Sequence, residues 1–377
     1  MISGTGGVNS VTKSELPTPS ILVDRQILQN NINKFQAACN AHGKRLWPML
    51  KTHKSTAIAQ MQAAAGADGF LCGTLKECEA LADAGFADIT LMYAYPVATQ
   101  PAIGRVIELS KRCNFVARVD STESAELLST AAFEEQFVID CTIIVDSGLG
   151  RLGVPPDEVL PLANGLMKLP NLRLRGVSTH PGHVYAATSP SEVTRYVADE
   201  KRAMAQGLAA LQAAGIEADL LTSGSTPTFM GAIDDEVINI YHPGNYVFND
   251  AIQIALGVAS EADCALTVLA SVISRPRADL FIIDAGSKTF GLDAGAHGNA
   301  AVRGFGIIKG HPQLSVIALS EEVGKVAVAM QSGGTSLKIG DKIEIIPNHA
   351  CVPASLAAEL MLCEGDRVVD VFKTIGR

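Results

Sequence analysis

The stretch GFLCGTLKECEALADAGFADITLMY, residues 69–93, shows the pattern that decides the fold. Its two apolar runs, residues 69–72 and 89–93, have the length of buried strands. Between them, residues 75–84 carry apolar side chains three and four positions apart, and Thr74 stands where a helix N-cap is expected. A strand, a helix and a second strand in this order predict a βαβ unit with parallel strands.

The same alternation continues from about residue 21 to residue 223, and a second long helix is predicted over residues 191–214. Eight strand candidates alternating with helices predict a parallel (β/α)8 barrel. The predicted strands are residues 21–23, 45–50, 69–72, 89–93, 115–119, 141–145, 176–178 and 220–222.

After about residue 249 the pattern changes to strands with few helical periods, which predicts a separate, mostly antiparallel β domain. The strands expected there are residues 266–273, 280–283, 325–329, 342–346 and 368–372. We therefore predict three parts: an N-terminal segment, residues 1–20, that could join the β domain, a barrel over residues 21–250, and a β domain over residues 251–377.

The bulk composition bounds the class of protein. A chain of 377 residues with 47% hydrophobic residues can bury a substantial core. The net charge of −9 is not gathered in runs, so neither a nucleic-acid partner nor a membrane partner is predicted. Eight cysteines without a CxxC pair indicate a reducing compartment. With no signal-peptide pattern and no apolar run of membrane-spanning length, we expect a cytoplasmic protein.

Lys51 follows an apolar run, and reactive groups of barrel enzymes lie at the carboxyl ends of the strands. A partly desolvated lysine there has a lowered pKa and can form a Schiff base. Later strand ends carry turns rich in glycine and hydroxyl groups, which suit a phosphate. Together these features suggest pyridoxal phosphate, although a solvent-facing lysine and ordinary tight turns are alternatives. The turns are residues 179–185, 223–228 and 242–246.

Six motifs in order resemble the D-threonine aldolase / D-serine dehydratase family of alanine-racemase-like, fold-type III pyridoxal-phosphate enzymes. They are KTHK at 51–54, VDSGLGRLG at 145–153, SGSTPT at 223–228, GNY at 244–246, DAGSK at 284–288 and PNHAC at 347–351. The resemblance covers nearly the whole chain. It implies a lyase that acts on β-hydroxy D-amino acids, and a homodimer.

The resemblance also implies roles for individual residues. Lys51 would hold the cofactor as a Schiff base, and Arg151 would approach the ring or its phenolic oxygen. His180 and Tyr185 would lie beside the ring or the substrate. The implied phosphate-binding group is Ser223, Gly224, Ser225, Thr226, Gly244, Asn245 and Tyr246.

His349 and Cys351 are two positions apart, so on an extended segment both side chains would face one ion. Imidazole and thiolate together favour zinc, with manganese as the other candidate, and two protein ligands leave positions open for substrate oxygens. The alternative is a buried cysteine beside a hydrogen-bonded histidine. With the resemblance, we expect Lys51, His349 and Cys351 to be catalytic.

Two reactions fit these parts. Removal of the hydroxyl proton leads to retro-aldol cleavage into glycine and an aldehyde, whereas removal of the Cα proton leads to elimination, giving a keto acid and ammonia. Residues 242–250 and 284–298 resemble aldolases, which we favour, whereas a His-x-Cys pair resembles the D-serine or D-3-hydroxyaspartate dehydratases. Amino-acid racemisation is a more distant alternative.

Three positions depart from the family pattern. Met49 stands where a histidine is frequent, His242 where an arginine commonly precedes Pro-Gly, and Val323 where a histidine is usual. The change at His242 bears on the partner of the cofactor's pyridine nitrogen, because a cation at that point would alter how strongly the ring withdraws electrons.

Overall fold

The computed structural model describes residues 11–292, 299–329 and 335–376. The chain forms two compact units, one of Ile32–Tyr246 with Ile375–Arg377, and one of Met1–Asn31 with Val247–Thr374. The aldolase-like residues 295–298 lie outside the described residues.

The strands in chain order are β1 Ser20–Asp24, β2 Arg45–Leu46, β3 Gly69–Cys72, β4 Thr90–Tyr93, β5 Phe115–Val119, β6 Ile139–Ile144, β7 Leu172–Ser178, β8 Leu220–Ser223, β9 Ile240–Tyr241, β10 Leu266–Arg277, β11 Leu280–Ile283, β12 Ile307–Ile308, β13 Leu314–Leu319, β14 Gly324–Val328, β15 Lys342–Ile346, β16 Glu359–Glu364 and β17 Arg367–Lys373. The α-helices are α1 Arg25–Ala41, α2 Thr56–Ala65, α3 Leu75–Asp83, α4 Gln100–Arg112, α5 Thr122–Glu134, α6 Val159–Leu166, α7 Pro190–Ala213, α8 Phe229–Ala232, α9 Ala251–Ala255, α10 Ser287–Phe290 and α11 Cys351–Leu356.

The first unit is the predicted barrel. Its sheet has eight strands in the order β2-β9-β8-β7-β6-β5-β4-β3, and every neighbouring pair is parallel. A bridge between Met49 and Leu71 links the two ends of this order. Buried side chains that include Trp47, Leu71 and Met92 pack together as a core. The carboxyl ends of all eight strands therefore open at one mouth.

One predicted barrel strand belongs elsewhere. Residues 21–23 lie in β1, which pairs antiparallel with β10 and parallel with β16 in the sheet of the second unit. The eighth barrel strand is instead β9, a pair of buried residues between β2 and β8. A two-residue strand carries no periodicity, and β1 is apolar enough for either sheet, so local pattern could not decide between them.

The second unit is the mostly antiparallel β domain. Its nine-stranded sheet runs β13-β14-β11-β10-β1-β16-β17, and β15 pairs with both β10 and β12. The N-terminal residues of the described chain join it, because Thr12 bridges to Arg367 and the Lys13 ammonium lies 2.8 Å from the Glu344 carboxylate. Leu22, Leu269 and other buried side chains form its core.

Local signals agree with the structure where capping chemistry is strong. The Thr74 hydroxyl accepts a hydrogen bond of 3.1 Å from the Glu77 amide, so the predicted N-cap of α3 is confirmed. The predicted strand over residues 45–50 is shorter, since β2 ends at Leu46 and a 3₁₀ turn covers Leu50–Thr52. Within the described residues, none of the helices combines the length and the apolar character that crossing a membrane requires.

Candidate active site

Lys51 lies in the 3₁₀ turn that follows β2, at the barrel mouth, and is partly exposed. A methyl group added at Gly73, just after β3, would lie 2.7 Å from Cβ of Lys51, so only glycine allows the chain to pass here. The mouth also holds His180, whose pKa is lowered to about 3, first by burial and then by the charge of Lys51. The fold thus brings Lys51 and the neutral imidazole of His180, both singled out from the sequence, to one end of the barrel.

Two of the three turns predicted to suit a phosphate, residues 223–228 and 242–246, lie side by side. A methyl group at Gly224, after β8, would come within 2.7 Å of the His242 amide nitrogen, so the turns after β8 and β9 pack backbone against backbone. The Tyr246 amide donates a 3.0 Å hydrogen bond to Oγ1 of Thr226, and the hydroxyls of Ser225 and Thr228 lie 3.1 Å apart. Amides and hydroxyls gathered in this way are suited to an oxyanion.

Two side chains of the implied phosphate group point away from it. The Ser223 hydroxyl donates a 2.5 Å hydrogen bond to Oε1 of Glu200 on α7. The Tyr246 ring stacks 4.3 Å from Phe35, and its hydroxyl accepts a 2.9 Å bond from Nε2 of Gln62. The side chains of Ser223 and Tyr246 therefore do not face a phosphate, and the Tyr246 amide already donates to Thr226. Gly244 and Asn245 belong to the same turn, where Asn245 is buried.

Arg151 and His180 border one small cavity at the mouth, together with Leu149 and Arg118. The loop that carries Arg151 is held by Asp146, whose carboxylate accepts hydrogen bonds from the amides of Gly148 and Gly150. Nδ1 of His180 lies 2.9 Å from the Gly224 carbonyl oxygen, so it carries the proton and Nε2 is the acceptor. Tyr185 is buried in the 3₁₀ segment Gly182–Ala186 that follows β7.

Sequence reasoning missed Arg118 in the barrel interior, and it singled out His242 at the mouth only as a departure from the family pattern. Arg118 on β5 is 3% exposed and donates to Oγ of Ser178, at 2.8 Å, and to the Ala94 carbonyl, at 3.2 Å. His242 is 2% exposed, and burial followed by the charge of Arg118 keeps its pKa well below the usual value. A signal for Arg118 existed, because it is the one charge in the apolar run of β5.

Glu200 was also missed. It is a fully buried carboxyl beneath the turn after β8, and burial raises its pKa to about 7, against hydrogen bonds from Ser223 and Thr228 that lower it. A glutamate within a long helix gives no local sign of burial, so this residue could be found only from the structure.

In the second unit, His349 and Cys351 are brought together, but not on the expected extended segment. Ala350 has helical dihedral angles and Cys351 begins α11. Nδ1 of His349 lies 3.2 Å from Oδ2 of Asp250, and the same oxygen accepts a 2.9 Å bond from the Ala350 amide. Burial lowers the pKa of His349, but the charges of Cys351 and Asp250 and hydrogen bonds to both raise it to about 10.

The donor set around His349 fits a divalent ion. Asp250 occupies Nδ1, which leaves Nε2 of His349 and the Cys351 thiol as ligands, and a carboxylate behind a metal-binding histidine fixes its orientation. In the described part of the chain, no cluster of three or more histidine, cysteine or acidic side chains is arranged for a metal. Two protein ligands would leave room for substrate oxygens.

The barrel mouth likewise fits pyridoxal phosphate. It offers one lysine, a turn pair that accepts an oxyanion, and two buried polar atoms, Nη2 of Arg118 and Nε2 of His242, for which the described residues supply no hydrogen-bond partner. Buried polar atoms are normally paired, so these two atoms are open to a further polar group at the mouth.

Comparisons with known proteins agree with this geometry. Residues 23–251 match the family model described as "Alanine racemase, N-terminal domain", and residues 265–363 match "Putative serine dehydratase domain". D-threo-3-hydroxyaspartate dehydratase of Delftia sp. is 33% identical over 350 residues, which are 89% of this chain and 91% of that protein.

Solved structures give the same picture. The Delftia dehydratase superposes with a TM-score of 0.90 at 29% identity, covering 97% of this chain and 99% of that one. Two further structures are of single variants of D-threo-3-hydroxyaspartate dehydratase. In one a histidine is replaced by alanine, and in the other a cysteine two positions later is replaced by alanine. The structure of the cysteine variant is described as the metal-free form. D-threonine aldolase from Filomicrobium marinum has a TM-score of 0.88 at 25% identity, covering 97% of each chain.

One family model spans more than half of the chain, and a relative above 30% identity aligns over almost all of it. The chain therefore belongs to the D-threonine aldolase and D-serine dehydratase family, alanine-racemase-like, fold-type III pyridoxal-phosphate lyases that act on small D-amino acids.

Proposed function

We propose that this lyase eliminates water from a β-hydroxy D-amino acid, releasing a keto acid and ammonia. The observation that carries the proposal is the His349–Cys351 pair held by Asp250. A D-threo-3-hydroxyaspartate dehydratase has a histidine and a cysteine at the same spacing, and one structure of its cysteine variant is described as the metal-free form. The alternative that we favoured from sequence, aldol cleavage, becomes the second candidate.

Lys51 is proposed as the covalent attachment site of pyridoxal phosphate. The backbone of residues 223–226 and 244–246, with the hydroxyls of Ser225 and Thr226, would bind its phosphate, while Arg151, His180 and Tyr185 would border its ring or the substrate. When bound, this cofactor supplies an electron sink that stabilises negative charge at Cα. The protein's part is to fix the cofactor and to exclude competing proton acceptors.

His349 and Cys351 are proposed to bind a divalent cation. A thiolate ligand favours zinc over manganese. Such an ion acts as a Lewis acid toward a hydroxyl oxygen, which makes hydroxide a better leaving group. Asp250 would hold Nδ1 of His349 protonated, so that Nε2 faces the ion.

The proton donor and acceptor decide the outcome. If Nζ of Lys51 takes the Cα proton, the hydroxyl leaves and elimination results. If a base takes the hydroxyl proton, the Cα–Cβ bond breaks and glycine and an aldehyde result. Nε2 of His180, an acceptor at the barrel mouth, is the observation that favours this second candidate.

Product analysis with D-threonine tests the proposal, because both reactions are open to that substrate. We expect 2-oxobutyrate and ammonia, and loss of both products when a chelator removes the metal. Glycine and acetaldehyde would instead establish the aldolase. L-allo-threonine, the product of inversion at Cα alone, formed at a rate that the chelator does not change would establish a racemase. D-serine and D-threo-3-hydroxyaspartate, assayed in parallel, would rank the substrates.

We also propose a homodimer, a cytoplasmic location and the division of the chain near residue 250. The eight cysteines form no disulfide with one another in this structure, which supports a reducing compartment. Light scattering of the purified protein measures the oligomeric state directly.

A further inference from the structure

Arg118 is a buried cation that forms no ion pair with any residue the structure describes. Nε and Nη1 donate to Ser178 and Ala94, but Nη2 has no hydrogen-bond partner in the described chain. No carboxylate of the described residues lies within ion-pair distance of it. With 3% of its surface exposed, the Arg118 guanidinium is shielded from bulk solvent.

The surroundings of Arg118 make its buried positive charge energetically less favourable. Burial, the largest cause, lowers the pKa of Arg118 to about 10; Tyr95 and Asp120 act in the opposite direction, and the charge of Arg151 adds to the lowering. Arg118 in turn lowers the pKa of His180 and His242. An unpaired buried charge is strongly unfavourable, so an arginine kept here needs an anion that is bound during function.

We propose that Arg118 binds an oxyanion of the cofactor–substrate complex, and that this anion is the counter-charge that the described residues do not provide. The inference rests on the proposed function. Two sources have this chemistry, the phenolate oxygen of the cofactor and a carboxylate of the amino acid. The small cavity that Arg118 shares with Arg151 and His180 marks the place.

A purely structural role accounts for the evidence less well. Ser178 also accepts a 3.1 Å bond from Thr142 and donates weakly to the Ile143 carbonyl, so its hydroxyl has partners without the guanidinium. A methionine has a similar length and no charge, and replacing a buried charge by an apolar side chain is often neutral or stabilising. Structural and functional roles therefore predict opposite effects on stability.

The experiment compares Arg118→Met and Arg118→Lys with Arg112→Met, a control that removes an exposed arginine on α4 paired with Asp83. Four quantities are measured: the unfolding temperature of the cofactor-free protein, the dissociation constant of pyridoxal phosphate, the pKa of the lysine-linked visible absorbance, and the dissociation constants of D-alanine and D-aspartate. These two amino acids lack a β-hydroxyl group, so neither can undergo the reaction.

For Arg118→Met we expect an unfolding temperature equal to or above that of the natural protein, and oxyanion binding weaker by about 10- to 100-fold, the range for a hydrogen bond to a charged group. Weaker cofactor binding with a raised pKa of the absorbance identifies the phenolate. Weaker binding of both amino acids with unchanged cofactor affinity identifies the α-carboxylate, and weaker binding of D-aspartate alone identifies the distal carboxylate.

A lower unfolding temperature with unchanged affinities for cofactor and amino acids would overturn the proposal. If Arg118→Met does not fold, the same affinities are compared in Arg118→Lys, which keeps the positive charge but loses the planar set of guanidinium N–H donors. Absence of a lysine-linked absorbance in the natural protein would instead refute the proposed function, so the two failures are distinguishable.

Discussion

Replacing Asp250 by asparagine tests how the candidate metal site is held. Oδ1 of Asp250 accepts a 3.1 Å bond from the Gln253 amide and caps α9, while Oδ2 faces the Ala350 amide and Nδ1 of His349. All of these neighbours act as donors. An asparagine must turn its NH₂ group toward one side, so at least one donor would meet another donor.

The expected size follows from these contacts. Loss of a carboxylate behind a metal-binding histidine typically weakens metal binding 10- to 100-fold, which is about 1.4 to 2.7 kcal/mol. A buried donor left without an acceptor costs about 1 to 3 kcal/mol of unfolding free energy. Zinc affinity of the Asp250→Asn protein, measured by competition with a chromophoric chelator, and urea unfolding check the two numbers separately.

Asp24→Asn is a matched control. Asp24 accepts a 2.9 Å bond from the Ile27 amide near the start of α1, and no histidine is among its recorded hydrogen-bond partners. We expect it to reduce stability without changing metal affinity. The reasoning about Asp250 is refuted if both variants bind zinc as tightly as the natural protein, because the carboxylate would then serve only as a helix cap.

Three further outcomes follow. Lys51→Ala should remove the lysine-linked visible absorbance, and a persisting chromophore would move the attachment site to another lysine. His349→Ala and Cys351→Ala should each keep the cofactor but lose metal and at least 100-fold in activity; full turnover in metal-free protein would contradict the Lewis-acid role. Burial raises the pKa of Glu200 to about 7 from 4.5, so the folded chain holds a proton that the unfolded chain releases. The unfolding free energy should therefore fall between pH 4.5 and 7 by roughly 3 kcal/mol more than in Glu200→Gln. Urea unfolding of both proteins at the two pH values measures this difference. If Glu200 titrates normally, the unfolding free energy of both proteins will change equally between the two pH values.

The periodicity of the sequence was sufficient for the barrel but not for every strand. Runs such as Phe115–Val119 are long enough and wholly buried, so their strands can be recognised from the sequence. β9 is two residues long, and its place in the sheet depends on β2 and β8 rather than on its own composition. β1 illustrates the complementary failure, because an apolar strand does not encode which sheet it will join.

The site residues likewise divide into those that local motifs predict and those that only the structure reveals. Short motifs place Lys51, Thr226 and the His349–Cys351 pair, because backbone turns and ligand spacing are local properties. Asp250 lies 99 residues before His349, and no spacing rule connects them. Motif resemblance also grouped Tyr246 with the phosphate-binding residues without saying which of its atoms face the phosphate, and in the structure its ring stacks on Phe35.

His180 bears on the choice between the two reactions. A general base works best with a pKa near the working pH, yet burial, the largest cause, and the charges of Lys51, Arg151 and Arg118 lower the pKa of His180 to about 3. A bound anion would offset the charges but not the burial, so Nε2 stays a weak base and elimination is favoured.

In His180→Asn, the amide can still donate to the Gly224 carbonyl. We expect keto-acid formation from D-threonine to fall less than about 10-fold, whereas a base essential to the reaction contributes 10²- to 10⁴-fold. A loss of keto-acid formation in that larger range, with cofactor affinity unchanged, would assign the Cα proton transfer to His180 instead of Lys51, whereas glycine and acetaldehyde as the main products would return aldol cleavage to first place.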